Sequence, residues 1–342
     1  MAILASRGDP FRLVEGGSVH PDWRTALSDA VIDPGELCRR LGLSPALAAA
    51  GAAKGFPLLV PRTYLDRIPP GCPDDPLLLQ VLPRSEELGQ RPRFTADPLG
   101  EADATQACGL LWKYQNRLLI VATGACAVHC RFCFRRHFPY RCPAKTPDDW
   151  APAVERIAAE TSIREVILSG GDPLTLDDDL LADLVGRLAD IPHLRRFRIH
   201  TRMPIVIPQR VTPDLLTWLR GCRLSPIMVV HVNHPAEIDA AVATALAELV
   251  DAGVPVLAQS VLLRGVNDRV DVLAALYERL IDLRVMPYYL HQLDRVAGAA
   301  HFEVPEAAGV RLVRELRSRL PGYAVPRYVR ETPGGPNKRV LA

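Results

Sequence analysis

Apolar positions follow two rhythms along this chain. From about residue 112 onward, short β-like runs recur at 118–122, 165–168, 196–200, 227–231, 254–258 and 285–289. Between them lie stretches with helical patterning, at 150–160, 177–189, 213–220, 235–252, 270–283 and 305–320. In the second of these, Leu180, Leu181, Leu184 and Leu188 fall on one helical stripe. Strands alternating with helices predict an α/β fold with a parallel sheet, because parallel neighbours need a crossover, which is right-handed. Six such units close only part of a barrel. The predicted architecture is therefore a partial (β/α)6, TIM-like sheet with its chemistry at the carboxyl ends of the strands.

The first hundred residues read differently, as a mainly helical and loop-rich extension. Asp33-Pro-Gly-Glu36 reads as a turn into a helix over 37–41. Ser44 and Pro45 suit the cap and first position of an Ala-rich helix. Residues 57–100 are dense in proline and charge, which predicts a loose segment running over the surface. The expected division is an extension over 1–110, the partial barrel over 111–320 and a C-terminal arm over 321–342. The formal charge of +2 and 48% hydrophobic content exclude a disordered chain and a strongly basic nucleic-acid wrapper. No run approaches the roughly 18–20 apolar residues of a membrane span. The apolar run over residues 1–6 is too short for a signal peptide, so a cytoplasmic protein without membrane partners is expected.

Eight cysteines are too few for a disulfide scaffold in a chain of 342 residues. Cys38, Cys72, Cys108, Cys142 and Cys222 are scattered and read as buried free thiols. The other three, Cys126, Cys130 and Cys133, form C-x3-C-x2-C directly after the first barrel strand. Three thiolates on a four-iron cube leave one iron free to bind something else. A zinc site is the competing reading. It would need a fourth ligand from His129, His137, Cys142 or a distant residue, and no second Cys-x-x-Cys exists. Ser169-Gly170-Gly171-Asp172 follows the second strand, where glycines let backbone approach a ligand. By itself that stretch is equally a tight turn, with Asp177 capping the next helix. His231 and Asn233 end the fourth strand, either lining the same face or serving as hydrogen-bonded strand ends.

The cysteine motif in this position resembles the radical S-adenosylmethionine enzymes. From about residue 90 onward the chain is similar to one branch of them, the lysine 2,3-aminomutases. The matching stretches include Arg135-Arg136, 168–173, 202–212, 231–235, 259–268, 287–289 and 322–326. Little sequence follows Lys338, and the basic stretch 137–140 follows the cysteines. In this the chain is similar to the short form that supplies β-lysine for modifying elongation factor P.

The resemblance implies roles residue by residue. Cys126, Cys130 and Cys133 would hold a [4Fe–4S] cluster whose open iron binds S-adenosylmethionine. Gly170, Gly171, Asp172 and Gln259 would contact that cofactor. Lys338, after the turn Pro333-Gly-Gly-Pro-Asn337, would carry pyridoxal 5′-phosphate, although Pro336-Asn337 stand where the family commonly has two more glycines. Lys113 and Arg117 would meet the phosphate. Asp294 and Glu331 would hold the side-chain ammonium of L-lysine, Glu331 being one methylene longer than the usual Asp, and Arg135 would hold its α-carboxylate. A low-potential electron donor is implied, and the ligase that attaches β-lysine to elongation factor P is an expected partner. Two acids in the side-chain pocket argue against glutamate as substrate. Near-neutral charge argues against a non-catalytic iron–sulfur or zinc module that binds RNA or the translation machinery.

Overall fold

The computed structural model describes residues 22–107, 109–140 and 146–342; Cys108, Cys142 and the apolar run at the amino terminus lie outside the described residues. One ten-stranded sheet runs in chain order: β1 (Thr105–Ala107), β2 (Leu110–Tyr114), β3 (Arg117–Thr123), β4 (Glu165–Gly170), β5 (Arg196–Thr201), β6 (Ser225–His231), β7 (Val256–Leu262), β8 (Met286–Gln292), β9 (Arg327–Arg330) and β10 (Arg339–Val340). Strands β3 to β9 pair in parallel, whereas β1, β2 and β10 add antiparallel edges. The sheet is α/β, mostly parallel and unclosed, as expected. It holds one more parallel strand than the six expected, because residues 327–330 pair with β8. The β2–β3 turn is made at Asn116, whose φ of 63° is tolerated by its short polar side chain.

The strands follow the sequence pattern for a physical reason. β4 is buried along its whole length, whereas β5 and β7 alternate fully buried with partly buried residues. In β5, Phe197 and Ile199 are buried in the apolar core, while Arg198 and His200 are only partly buried. This period of two means that one face of the sheet lines a polar chamber. The crossover helices cover the other face. The longest are Asp178–Ala189, Ala240–Asp251, Val270–Asp282 and Glu306–Arg319. In the first, Leu181, Leu184 and Leu188 are buried and Leu180 is half-buried. Asp177 stands at its cap position, but its carboxylate pairs with Arg24 and makes no capping bond. The helix expected over 235–252 is interrupted: a single 3-10 turn, Pro235–Glu237, precedes Ala240–Asp251.

The stretch 57–100 differs most from expectation. It is not loose: Leu58, Val60, Tyr64, Leu77, Leu78, Val81 and Leu82 are all buried in the main core. Asp33, expected in a turn before a helix over 37–41, instead caps a helix that already begins at Pro34 and runs to Arg40, whereas Ser44 is a cap as expected but opens only a 3-10 turn. Apolar residues in this segment lack a clean period because they pack in short turns against the cysteine loop. The Arg131 amide donates to the Gln80 carbonyl at 2.8 Å, and the His129 amide to the Leu59 carbonyl at 3.0 Å. Among the scattered thiols, Cys38 is buried and Cys222 half-buried, but Cys72 is exposed.

Candidate active site

The cysteine loop leaves β3 and is zipped to the turn after β4. The amide of Gly171 donates to the Thr123 carbonyl at 2.8 Å, and that of Asp172 to the Ala125 carbonyl at 2.7 Å. This approach demands glycine. Gly170 has a φ of 117°, and a Cβ on either glycine would strike backbone, at Thr123 for Gly170 and at Ala125 for Gly171. The carbonyl of Gly170 accepts from Tyr140 Oη at 3.2 Å. The carboxylate of Asp172 is taken up by protein donors: Thr201 Oγ1 at 2.7 Å, and the amides of Arg202, Met203 and Leu174. It therefore ties the β4 turn to the end of β5.

Cys126, Cys130 and Cys133 stand on this loop, none of them in a disulfide. Burial pushes the Cys126 thiol well up and the Cys133 thiol to about 11, Cys126 also feeling Cys133 and Cys130, and Cys133 feeling Cys130. Cys130 Sγ accepts from Arg202 Nη1 at 2.7 Å. Among the described residues no three His, Cys, Asp or Glu side chains converge tightly enough for one ion. The donor set is three soft sulfurs spread along one loop, which suits an iron–sulfur cube better than a compact four-ligand zinc site. Binding such a centre would expel the thiol protons that burial retains.

A chain of charges crosses the mouth of the chamber. Lys338 pairs with Glu331, which also accepts from Lys113 Nζ at 3.1 Å. Lys113 reaches on to Glu101 at 3.0 Å, and Glu101 holds Arg135 through two bonds of 2.7 and 2.9 Å. Arg135 Nη1 in turn donates to Ser169 Oγ at 3.1 Å. Since β2 carries Lys113 and Glu331 follows β9, this chain bridges the two ends of the open sheet. Arg117, at the start of β3, lies against the Tyr114 ring at 4.5 Å. The Lys338 ammonium is 5.9 Å from the same ring. A cleft of about 210 Å³ opens at this seam, lined by Trp112, Lys113, Tyr114, Glu331, Gly334 and Gly335, among others. Lys113 and Tyr114 line this cleft, and the Lys338 amine is joined to it through Glu331 and the Tyr114 ring; a lysine amine, a second ammonium and a phenol so grouped suit an anionic aldehyde such as pyridoxal phosphate.

Asp294 follows β8 and makes no ion pair among the described residues. Burial, and then the charge of Glu331, raise it to about 7. Burial also acts upward on Glu331, but Lys338 and Lys113 override it and hold this acid at about 2. The two acids thus have opposite protonation tendencies at one site. Deeper in the chamber stand Gln259, with no side-chain hydrogen bond among the described residues, and the imidazoles of His200, His231 and His291. Burial first, then neighbouring cations, push His231 down to about 4, His291 to about 3 and His200 well below its ordinary value. All three are neutral at pH 7. His231 faces Asn233 Oδ1 at 3.2 Å. Asn233 is fully buried and is spent on Gln80 and Val261, so it builds the strand end and does not line the chamber.

Sequence reasoning did not single out Glu101, Tyr114, His200, His291 or the role of Arg202. The polar alternation Arg198, His200 in β5 and Tyr289, His291 in β8 was the available signal for the chamber wall. Glu101 carried none: a short helix, Glu101–Ala104, brings it in, its amide held by Asp97 Oδ1 at 3.0 Å.

Comparison with known proteins identifies the family of the chain. Residues 120–276 match the model of the radical SAM superfamily. The chain is 46% identical to an L-lysine 2,3-aminomutase of Haemophilus influenzae, over 94% of this chain and 96% of the other. It is 47% identical to that of Escherichia coli, over 94% of each chain. The L-lysine 2,3-aminomutase of Clostridium subterminale is 36% identical, over 93% of this chain and 77% of its own. No helix among the described residues is long and apolar enough to cross a membrane. Similarity of this extent over nearly the whole chain places the protein in the L-lysine 2,3-aminomutase family of radical SAM isomerases.

Proposed function

We propose that this enzyme converts L-lysine to β-lysine by moving the amine from Cα to Cβ, with pyridoxal phosphate as carrier. One observation carries the reading: a carboxylate pair, Asp294 and Glu331, and a guanidinium, Arg135, belong to the same lumenal charge system as the amine of Lys338. That array complements a zwitterion with a distal ammonium and would repel a distal carboxylate. Cys126, Cys130 and Cys133 would hold the [4Fe–4S] cluster, and Gln259 with the backbone of Gly170 and Gly171 would face the S-adenosylmethionine on it. Lys338 would carry the pyridoxal phosphate, with Lys113 and Arg117 toward its phosphate. When bound, these groups would supply reductively initiated radical chemistry and a conjugated system through which an amine can migrate.

The chain's own residues bind, orient and exclude water. Arg135 is held in one orientation by Glu101, so the guanidinium meets a carboxylate without first losing side-chain freedom. Asp172 and the two glycines fix the cysteine loop against β4. The neutral histidines leave the chamber wall able to accept or donate hydrogen bonds without adding charge. An external low-potential donor supplies the electron. Similarity to the short form supports delivery of β-lysine to the ligase that modifies elongation factor P, and a cytoplasmic setting suits both. Anaerobic protein given isotope-labelled L-lysine, S-adenosylmethionine, pyridoxal phosphate and dithionite is expected to yield labelled β-lysine, resolved by mass spectrometry. Lys338→Ala is expected to yield none. Fully cluster-loaded enzyme that turns over glutamate but not lysine would overturn the assignment.

A further inference from the structure

Behind the cysteine loop lies a buried charge cluster that this chemistry leaves unused. Arg202, just past β5, is 6% exposed. Its Nη1 donates to Cys130 Sγ at 2.7 Å; its Nη2 donates to Gln80 Oε1 at 2.7 Å and to Glu237 Oε2 at 2.9 Å. The other oxygen of Glu237 accepts from the amides of Asn233 and His234 at 3.0 and 3.1 Å and from Gln80 Nε2 at 3.1 Å. The Tyr64 and Phe132 rings lie 5.6 and 5.7 Å from the guanidinium carbon. The backbone amide of Arg202 is tied to Asp172 at 2.7 Å. The N-terminal extension, the β4 turn and the ends of β5 and β6 thus fix one guanidinium in one orientation. Stability alone does not account for such a pair, because burying two charges roughly cancels their attraction. One prong of the fork is aimed at a sulfur. Among the described residues, Cys130 alone of the three receives a hydrogen bond from a charged side chain.

We propose that Arg202 is a positioning residue that raises the reduction potential of the iron–sulfur centre, with Glu237 as the counter-charge that limits the rise. The proposal rests on the reading that the three cysteines hold that centre. Reduction adds one electron from an external donor to the cluster and its thiolates, with no bond made or broken. The added negative charge is stabilised by a cation and an N–H···S bond at one thiolate, in surroundings of low dielectric. Neutralising Glu237 leaves the cation unopposed; neutralising both leaves neither.

The test is a redox titration followed by electron paramagnetic resonance on anaerobically reconstituted wild type, Glu237→Gln, Arg202→Lys and the double variant Arg202→Gln/Glu237→Gln. Iron and sulfide per chain are measured on each. The double variant avoids stranding a buried carboxylate. Its constant for one-electron reduction is expected to fall about tenfold below wild type, a potential lower by ~59 mV. Glu237→Gln is expected to move upward, a direction that simple loosening of the site would not give. Arg202→Lys, which keeps the charge and loses the fork, is expected in between. Equal potentials in fully loaded variants would overturn the proposal, as would loss of iron from the variants at unchanged potential in the fraction that remains. Wild type that holds no iron after reconstitution would instead overturn the cysteine assignment itself.

Discussion

A carboxylate that faces the chamber without an ion pair, as Asp294 does, costs the free protein stability at neutral pH. Unfolded, its carboxyl ionises near 3.8; folded, burial and the charge of Glu331 raise it to about 7. Below pH 3.8 both states hold the proton and the residue makes no difference. Between 3.8 and 7 the folded state keeps a proton that the unfolded state has released, so the cost grows with pH and is complete above 7. Asp294→Asn should therefore stabilise the protein at pH 8, by up to about 4 kcal/mol and with a higher melting temperature, and leave its stability nearly unchanged near pH 4. On the proposed role of Asp294, the same variant should lose lysine binding, because a substrate ammonium would need the ionised form. Calorimetric scans across this pH range check the first expectation and equilibrium dialysis with labelled lysine the second. A stabilisation as large at pH 4 as at pH 8 would mean that the gain comes from packing and not from the proton.

The elements were legible in the sequence where burial is one-sided or complete. All six expected barrel strands are present, because alternation or unbroken apolarity leaves no other way to bury them. The run at 254–258 was placed a few residues early, since Pro255 precedes the pairing that begins at Val256. Strand β9 was missed because four residues, Arg327–Arg330, with only Tyr328 and Val329 buried, carry too little pattern. The packing of 57–100 was illegible for a related reason: its apolar residues answer to a loop, not to a helix face or strand. The cysteines and the Gly-Gly turn were visible as motifs, but their mutual dependence was not. Gly171 shows it. Gly171→Ala would drive a methyl group into the Ala125 carbonyl, on the backbone that carries Cys126. Overpacking of this kind costs about 1–3 kcal/mol, and the strain falls on the cysteine loop. The expected outcome is a folded protein with normal far-ultraviolet circular dichroism and reduced iron per chain after reconstitution. Full iron loading in that variant would show that the loop accommodates the methyl group without moving its sulfurs.

At the scale of the whole molecule, an open sheet must be closed by something other than backbone hydrogen bonds. Here side-chain charges do it. Lys113 from β2 meets Glu331 beyond β9, and Glu331 also takes Lys338, so one carboxylate joins both ends of the sheet to the lysine proposed to be catalytic. Glu331 ionises near 2 in the fold against 4.5 unfolded. A depressed carboxyl stabilises fully above its unfolded value and ceases to do so as pH falls from about 4.5 toward 2. Glu331→Gln therefore loosens the seam at neutral pH while the difference from wild type shrinks across that acid range. Its side chain is 11% exposed, so water screens the pair only partly and a loss of about 1–2 kcal/mol is expected, short of that for a fully buried pair. The loss should be local. Amide hydrogen exchange should quicken over 327–342 and over β2, while β4 to β7, whose hydrogen bonds are flanked by strands on both sides, stay protected. Acceleration spread evenly over the sheet would assign the seam to global stability, whereas none at all would show that apolar packing of Val329 and Tyr328 already closes the sheet. The local outcome carries a functional corollary. On the proposed function, the charge that shuts the molecule is also the charge assigned to the substrate ammonium, so substrate binding and closure of the carboxyl-terminal segment would be one equilibrium.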